Sequence, residues 1–303
     1  MELEFKPVVA GDIDRLRPFY GMRPNKTCDS VFLDSFLWKD YYHVQCAVSE
    51  GRAVLWLMEK DGQVSTAMPL CREEDLPYFF QQMVDYFSGV LHKPFYISLA
   101  DEEAVQYLNL DPALFEVEEQ VDLKDYLYSG EELRKLEGKK FVKKRNHLNG
   151  FKRTYEGRYE YRRLCCSDRH EVWQFMERWR QHREEVGAME LSLDYEVAGI
   201  HDILKNCSNL YVRMAGVYID GQLEAFTIGS LNVRENMAVI HIEKANPEIR
   251  GLYQFINQQF LINEFPQAEL VNREDDVGME GLRKAKMSYY PIGFARKYMV
   301  RER

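Results

Sequence analysis

Hydrophobic and polar positions run along this chain as a regular series of strand-like and helix-like segments. After a short strand at residues 3–9 and two helical segments, three alternating segments are joined by Glu50-Gly51 and Asp61-Gly62, both favourable hairpin turns. An apolar stripe with helical spacing predicts a long helix over residues 73–90. The other elements predicted in this half are helices at 12–20, 28–41 and 101–108 and strands at 42–49, 53–59, 64–70, 95–99 and 114–123.

The second half of the chain repeats this order of elements without repeating the residues. Its predicted strands cover residues 159–164, 210–219, 223–233, 238–244, 268–271 and 294–300, and its predicted helices cover residues 168–185, 193–206, 250–264 and 276–290. A meander that leads into a β-α-β unit indicates a mixed α/β (α+β) fold, and the long repeat indicates a duplicated domain. The order resembles two tandem GNAT acyltransferase domains, each a mainly antiparallel mixed sheet flanked by helices.

A basic segment separates the two halves. Residues 134–163 contain twelve lysines and arginines but three acids, although the whole chain has a net charge of −9. We therefore predict an N-terminal GNAT-like domain at 1–128, a basic helical connector at 129–157 and a C-terminal GNAT-like domain at 158–303 that carries the site. The connector fits either a solvated linker helix or an electrostatic platform for phosphates. The candidate phosphate-binding residues are Lys139, Lys140, Lys143, Lys144 and Asn146.

Composition narrows the class of protein. The 303 residues are 46% hydrophobic and 29% charged, as in ordinary globular proteins, and the negative net charge argues against a general polyanion binder. The six cysteines show no zinc-binding spacing, so we predict no metal site and reduced thiols. The acidic N-terminus is unlike a signal peptide, and no apolar run approaches the ~20 residues of a membrane span. We expect a cytoplasmic protein that could act on lipids only peripherally, at the inner membrane surface.

Residues 271–291 form the most informative stretch of the chain. A short apolar strand runs into an Asn-Arg-Glu-Asp-Asp cluster and then into a predicted helix that Asp275 or Asp276 could cap. Polar residues at the carboxyl end of a strand commonly build a ligand site, although a capped surface helix would show the same pattern. The candidate catalytic residues are Arg273, Glu274 and Asp275, and neighbouring candidates are Asn272, Arg283, Lys286 and Tyr289.

Two further patterns bear on the chemistry. Arg250 and Gly251 precede a predicted helix and retain a fragment of a glycine-rich phosphate-binding turn. His241 and Glu243 alternate along a strand, either as a base and its partner or as a half-buried pair. The chain has no G-x-S-x-G, P-loop or G-x-G-x-x-G motif, so serine hydrolase, kinase and Rossmann functions lack support.

Several motifs together resemble one bacterial family. They are Asp125-Tyr126-Leu127-Tyr128, Gly138-Lys139-Lys140, Lys143-Lys144-Arg145-Asn146-His147, Ala245-Asn246-Pro247-Glu248-Ile249-Arg250-Gly251, Asn272-Arg273-Glu274-Asp275 and Gly278 with Leu282, Arg283, Lys286, Ser288, Tyr289 and Pro291. That family is grouped with the C-terminal cytosolic domain of phosphatidylglycerol lysyltransferases. The resemblance implies a tandem GNAT fold related to the Fem-type transferases, which use aminoacyl-tRNA.

These observations lead to one main hypothesis and two alternatives. The main hypothesis is an acyl or aminoacyl transferase, with aminoacyl-tRNA or acyl-CoA as candidate donor and an amine or hydroxyl of a lipid headgroup or peptide as acceptor. Arg250 and the N–H groups from Gly251 would hold donor phosphate, and Arg273 with Glu274 or Asp275 would orient the acceptor. The alternatives are an acetyl-CoA-dependent N-acetyltransferase and a non-catalytic module that binds an anionic ligand between the domains.

Overall fold

The computed structural model describes residues 3–185 and 193–303. Its first half contains strands β1 Lys6–Pro7, β2 Gln45–Ser49, β3 Ala53–Lys60, β4 Gln63–Ser65, β5 Tyr96–Asp101, β6 Phe115–Glu119 and β7 Asp125–Ser129. The helices of this half are α1 Ile13–Tyr20, α2 Phe32–Leu37, α3 Leu76–Tyr86 and α4 Glu102–Leu108. Two helices, α5 Gly130–Lys135 and α6 Val142–Thr154, form the connector.

The second half follows the connector. Its strands are β8 Tyr159–Arg163, β9 Arg213–Ile219, β10 Gln222–Asn232, β11 Met237–Ala245, β12 Leu270–Asn272, β13 Gly293–Ala295 and β14 Lys297–Glu302. Its helices are α7 Arg169–Glu185, α8 Leu193–Asn206, α9 Leu252–Glu264 and α10 Glu280–Met287. The hairpin turns predicted at Glu50-Gly51 and Asp61-Gly62 join β2 to β3 and β3 to β4, and all four turn residues have positive φ. Asp220 and Gly221, which join β9 to β10, also have positive φ.

The two halves exchange one strand each. The described strands form three sheets, in the orders β1-β2-β3-β4, β5-β14-β6 and β13-β7-β12-β11-β10-β9-β8. Strand β7 of the first half lies between β12 and β13 of the second, antiparallel to both. Strand β14 of the second half lies between β5 and β6 of the first, again antiparallel to both. Each half therefore needs a strand from the other to complete its sheet.

Each half opens where two parallel strands diverge. In the first half, β4 and β5 approach each other at one isolated parallel bridge between Thr66 and Ile97. In the second half, β11 and β12 pair in parallel along three residues only, from Met237↔Leu270 to Val239↔Asn272. Because the strands separate beyond these pairs, side chains from both faces can reach the openings. Ligands commonly bind at such openings at the carboxyl ends of strands.

A shared hydrophobic core holds the halves together. One buried cluster combines Leu16 and Phe36 of the first half with Phe175 and Ile203 of the second. Helices α2 and α8 pack so closely that a Cβ atom at Gly199 would lie 2.2 Å from the backbone oxygen of Leu37. Helix α2 also carries a carboxylate of the candidate site, so this packing fixes that side chain relative to the second half.

The predicted mixed α/β fold is confirmed, with mainly antiparallel sheets flanked by helices. Strand β7 was not predicted, and the predicted helix at 28–41 is a short 3₁₀ helix at Cys28–Ser30 followed by an α-helix over Phe32–Leu37 only. The predicted strand at 294–300 is two strands, which belong to different sheets. The division into 1–128, 129–157 and 158–303 stays a prediction for folding units, and β7 and β14 each lie in a sheet of the opposite half.

The start of α10 also differs from the prediction, because Asp275 and Asp276 do not cap it. Their carboxylates accept hydrogen bonds from the backbone N–H groups of Val277 and Gly278, both at 3.0 Å. These short-range bonds form a loop, and the helix begins at Glu280 with Met279 at the N-cap. The acids therefore shape the loop between the strand and the helix.

The prediction of reduced cysteines is wrong for one pair. Cys166 and Cys207 form a disulfide that links the start of α7 to the end of α8. Cys28, Cys46 and Cys71 are buried free thiols, and Cys165 is an exposed one. In the part of the chain that the structure describes, no helix has both the length and the apolar character needed to cross a bilayer.

Candidate functional site

The end of strand β12 sends successive side chains in different directions. Asn272 is completely buried, and its Oδ1 accepts a hydrogen bond from the backbone N–H of Glu274 at 2.7 Å. This bond stabilises a left-handed conformation at Glu274, which has a φ of 56°. The Asn272 amide also donates to the backbone oxygen of Lys26 at 2.8 Å. The turn is therefore built rigidly, and Arg273 and Glu274 contact different surroundings.

Arg273 lies in a pocket of aromatic and acidic side chains. Its Nη2 donates to Glu243 Oε1 at 2.8 Å, and Asn257 Nδ2 donates to the other oxygen of that carboxylate at 2.8 Å. The guanidinium carbon lies 4.8 Å from the centre of the Tyr289 ring. Nη1 is buried and has no hydrogen-bond partner among the described residues. Buried donors are rarely left unpaired, so Nη1 is available for an oxygen atom of a ligand.

The connector contributes one lysine to this pocket. Lys144 of α6 donates from Nζ to Ser288 Oγ at 2.6 Å, and its ammonium lies 3.8 Å from the centre of the Tyr289 ring. Burial, followed by the positive charge of Arg273, lowers the pKa of Lys144 to about 8. In mildly alkaline solution, Lys144 is therefore neutral in a fraction of the molecules.

Glu274 lies on the other side of the strand end, beside His241. The pairing of β10 with β11 shifts between Ile228 and Gly229, which leaves His241 as the extra residue of a bulge. Its Nδ1 lies 3.0 Å from Glu274 Oε1, and its Nε2 lies 2.8 Å from Ser230 Oγ. Burial lowers the pKa of His241 to about 3, so the ring is neutral. Burial, and then the charge of Asp125, raises the pKa of Glu274 well above its ordinary value.

The exchanged strands meet at a buried ion pair next to Glu274. Lys297 of β14 and Asp125 of β7 are both almost fully buried, and Nζ lies 2.7 Å from Oδ1. Asp125 Oδ2 accepts hydrogen bonds from the backbone N–H of Cys28 at 2.6 Å and from Asn272 Nδ2 at 2.9 Å. Lys297 Nζ also lies 3.8 Å from Asp275 Oδ2. This pair therefore joins both exchanged strands to the strand end that carries the candidate residues.

An acidic cavity of about 90 Å³ opens in the first half. Thr66 and Ser98 line it, which places it where β4 and β5 separate, and Trp38 and Tyr42 form part of its wall. Asp34 also lines it, and its side chain is nearly buried. Burial, and then the charges of Asp29 and Glu274, raises the pKa of Asp34 well above its ordinary value. The cavity is therefore suited to a positively charged group.

One group of side chains has the chemistry of metal ligands. The thiol of Cys28 and the carboxylates of Asp34 and Glu274 have ligand atoms within 4.8 Å of one another. Lys297 Nζ lies 3.2 Å from Cys28 Sγ and already places a positive charge beside this group. These three residues could hold a metal ion, or they could contact the cationic part of a ligand in the neighbouring cavity.

The family model for the C-terminal part of phosphatidylglycerol lysyltransferases matches residues 23–301. The chain belongs to this family. A conserved protein of unknown function from Bacteroides thetaiotaomicron has 27% identity, full coverage of both chains and a TM-score of 0.90. An uncharacterized protein of Mycoplasmoides gallisepticum is 28% identical over 178 residues, which is 58% of this chain and 56% of that protein. The chain therefore spans about half the length of this curated relative.

Two solved lysyltransferase-type structures have the same fold. The C-terminal domain of a putative lysylphosphatidylglycerol synthetase from Agrobacterium fabrum is 17% identical, with a TM-score of 0.70 and coverage of 96% of this chain and 91% of that one. The L-PGS of Bacillus licheniformis is 15% identical, with a TM-score of 0.69 and coverage of 99% and 94%. The resemblance stated from the sequence motifs is thus confirmed at the level of family and fold.

In this member of the family, the predicted site residues do not all come together. The strand end brings together Arg273, Glu274 and Asp275 with His241, Glu243, Asn272, Tyr289, Lys144 and Lys286. Lys286 donates from Nζ to the backbone oxygen of Arg273 at 2.6 Å, so it stabilises the turn that follows β12. His241 and Glu243 are not partners of each other, because the bulge directs His241 to Glu274 while Glu243 binds Arg273.

Other predicted residues lie apart from this cluster. Lys139, Lys143 and Asn146 are exposed on the connector, and Lys140 is paired with Glu132 at 2.7 Å. Arg283 is held by Asp276 at 2.8 Å and Asp122 at 2.7 Å. Its hydrogen bonds to Asp276, together with the bond from Tyr126, lower the pKa of that carboxyl to about 2, although burial acts in the opposite direction. Arg283 therefore anchors the start of α10.

The predicted phosphate turn is in contact with the connector. Gly251 has a φ of 89°, and a Cβ atom there would lie 2.3 Å from the backbone oxygen of His147 in α6. Packing against α6 explains why this position is glycine, without a bound phosphate. Arg250 extends to solvent beside His147, with Nη2 3.4 Å from Nε2. The roles of Arg250 and Gly251 in holding a donor stay predictions.

Sequence reasoning assigned no site role to Cys28, Asp34, Asp125 or Lys297, although Asp125 begins one of the family motifs. The clearest available signal was Asp34, an acid inside the otherwise mainly apolar segment 31–37. The signal was weak because the four residues lie on separate segments that the strand exchange and the α2–α8 packing bring together.

Proposed function

We propose that this protein transfers an aminoacyl group from an activated ester, such as aminoacyl-tRNA, to a hydroxyl or amine of an acceptor. One observation carries the proposal. The strand end at residues 272–275 lies between a cationic surface and an acidic cavity. Arg273, on the connector side, has a buried unpaired donor, and Glu274 faces the carboxylates of the first half. An aminoacyl ester has the matching charges, an anionic carrier and a cationic amino group.

The connector supports a polyanionic carrier on its side of the site. Lys139, Lys143 and Asn146 are exposed, and Lys144 on the same helix reaches the Arg273 pocket. A phosphate chain that follows the exposed lysines would therefore lead its terminal ester toward Arg273. The negative net charge of the rest of the chain would help to confine the carrier to this surface.

The cavity supports an ammonium group on the opposite side. Asp34 and Asp29 supply negative charge, and the rings of Trp38 and Tyr42 can make cation–π contacts with a bound cation. An ammonium bound there would place a positive charge beside the nearly buried carboxyl of Asp34, whose pKa is raised by burial and by the charges of Asp29 and Glu274. This arrangement favours an aminoacyl group over an uncharged acetyl group.

The reaction moves one proton from the acceptor to the departing hydroxyl, in two steps through Glu274. The acceptor oxygen or nitrogen would attack the ester carbonyl carbon, and the carbon–oxygen bond to the carrier would break as the new ester or amide bond forms. Arg273 Nη1 would donate a hydrogen bond to the carbonyl oxygen as negative charge develops there. Glu274, positioned by neutral His241, would accept the acceptor's proton and return it to the departing hydroxyl. The family description supports a lipid hydroxyl as the acceptor.

The direct test is transfer of a labelled amino acid from charged tRNA to phosphatidylglycerol, to other lipids and to peptides. We expect labelled product with the tRNA donor and none when acetyl-CoA replaces it. Glu274→Gln, which keeps the shape of the side chain, should lower the rate by about 10²–10⁴-fold. Turnover with acetyl-CoA alone, or no turnover with any charged tRNA, would refute the proposal.

The pH dependence of transfer should show a falling limb near pH 8. A lysine loses its charge above its pKa, and the pKa of Lys144 is about 8, so a contact of its ammonium with donor phosphate would weaken there. Lys144→Arg should move this limb to higher pH, because arginine keeps its charge. Lys93→Arg, in the first half, is the matched control. Rate profiles from pH 6 to 10 that coincide for Lys144→Arg and the parent would contradict this role.

A further inference from the structure

Exposed apolar side chains are concentrated around helix α10. Among the described residues nineteen large hydrophobic side chains are exposed, and six of them lie within residues 277–292. Single exposed hydrophobic residues are normal on a protein surface, but such a cluster indicates an interaction site. We call this cluster the α10 surface, and its members are Val277, Met279, Leu282, Met287, Tyr290 and Ile292, each 37–57% exposed.

Helix α10 is held to the protein by polar groups. None of its residues is buried in the core, although most surface helices pack an apolar stripe inward. Lys286 instead bonds to the backbone oxygen of Arg273, and Arg283 bonds to Asp276 and Asp122. Because these contacts fix the rotation of the helix, Leu282 and Met287 cannot turn into the interior. Their exposure is built into the structure.

Positive charges border the α10 surface. Lys284 is 75% exposed, and its neighbour Glu280 is the one acid of the helix. On the connector, Lys140 Nζ lies 5.8 Å from the centre of the Tyr290 ring, and the ring of Phe141 lies 5.6 Å from it. Lys139, Val142 and Lys143 follow on the same exposed segment. Apolar groups are thus flanked by lysines, in a chain with a net charge of −9.

We propose that the α10 surface rests on an anionic lipid bilayer. Apolar side chains on a short basic helix can enter the boundary between headgroups and acyl chains, while lysines attract anionic lipids. A second copy of the chain fits this surface less well, because a two-fold interface would place the lysines of both copies against each other. The proposal does not depend on the transfer reaction, since it concerns the outer side of α10.

Vesicle flotation with the whole chain tests this docking. Phosphatidylserine serves as the anionic lipid, so that binding does not rely on the lipid in the family description. We expect binding to vesicles that contain phosphatidylcholine and phosphatidylserine, no binding to phosphatidylcholine alone, and weaker binding as salt increases. The double variant Leu282→Ser/Met287→Ser should reduce binding at least about tenfold. Adding Lys284→Glu to this double variant should reduce binding further.

The matched control is Val90→Ser/Leu114→Ser, which removes two apolar side chains that are exposed in the first half. This control should bind vesicles like the parent, and thermal unfolding should show that all variants are folded. Absence of parent binding to the anionic vesicles would overturn the proposal, as would equal loss in the control. Light scattering gives the remaining outcome. A dimer of the parent that Leu282→Ser/Met287→Ser abolishes, without vesicle binding, would identify the surface as a contact between copies and refute membrane docking.

Discussion

Replacing Lys297 with methionine should lower the free energy of unfolding by about 3–5 kcal/mol. The Lys297 side chain is 2% exposed, and its removal would leave Asp125 charged in the interior. Burial alone would lower the pKa of Lys297, but Asp125 and Cys28 raise it well above the ordinary value. The stabilisation is therefore fully present below the ordinary lysine pKa and is lost only as the pH rises through the raised value. Urea unfolding at neutral pH, followed by tryptophan fluorescence, measures the change.

Two further variants make this result interpretable. Lys284→Met removes an exposed lysine that pairs with Glu280, and it should change the stability by less than about 0.5 kcal/mol. Lys297→Met combined with Asp125→Asn should be less destabilised than the sum of the single variants, because neither charge is left alone. A loss below about 1 kcal/mol in Lys297→Met would mean that the ion pair does not stabilise the exchanged strands.

Replacing Arg273 with alanine should lower the transfer rate by about 10²–10³-fold, if the proposed reaction is correct. The guanidinium is oriented by Glu243 and Tyr289, while Nη1 has no partner among the described residues. A donor held in this way needs no reorganisation when charge develops on the substrate oxygen. The effect should therefore appear mainly in kcat, which initial rates over a range of donor concentrations separate from KM.

Loss of Arg273 also leaves Glu243 unpaired, so stability must be measured beside activity. Arg273→Lys keeps the charge and should retain more activity than alanine, although lysine cannot reproduce the planar fork. Arg301→Ala removes an exposed arginine of β14 that is paired with Glu116 of β6, and it should leave kcat unchanged. A folded Arg273→Ala protein with parental kcat would rule out the proposed donor.

Periodicity predicted the elements that have a clear local pattern. Helix α8 was predicted with its observed bounds, because Leu193, Val197, Ile200 and Leu204 recur at helical spacing. The predicted start of α10 was wrong, because an aspartate before a helix can either cap the helix or accept hydrogen bonds from the next backbone N–H groups in a loop. Sequence alone does not decide between these two uses of the same side chain.

Local pattern was insufficient where the partner lies far along the chain. The five residues of β7 pair with strands near residues 270 and 294, more than 140 residues further along the chain. Likewise, the cluster Asn272-Arg273-Glu274-Asp275 was visible as a continuous motif, whereas Cys28, Asp34 and Lys297 were not connected with it. The sequence therefore predicted the site residues that are neighbours along the chain. The residues that reach the site from distant segments were found only in the structure.

The placement of β14 also determines when the first half of the chain can complete its sheet during synthesis. Strands β5 and β6 are made early, but the strand that lies between them ends at residue 302. A nascent chain on the ribosome therefore has two exposed sheet edges in its first half until almost all of the second half has been translated. Unpaired edges can join with other chains, and such long-range pairing is slow to form. We therefore expect the first half, although it is translated first, to become protease-resistant only after the last strand is released.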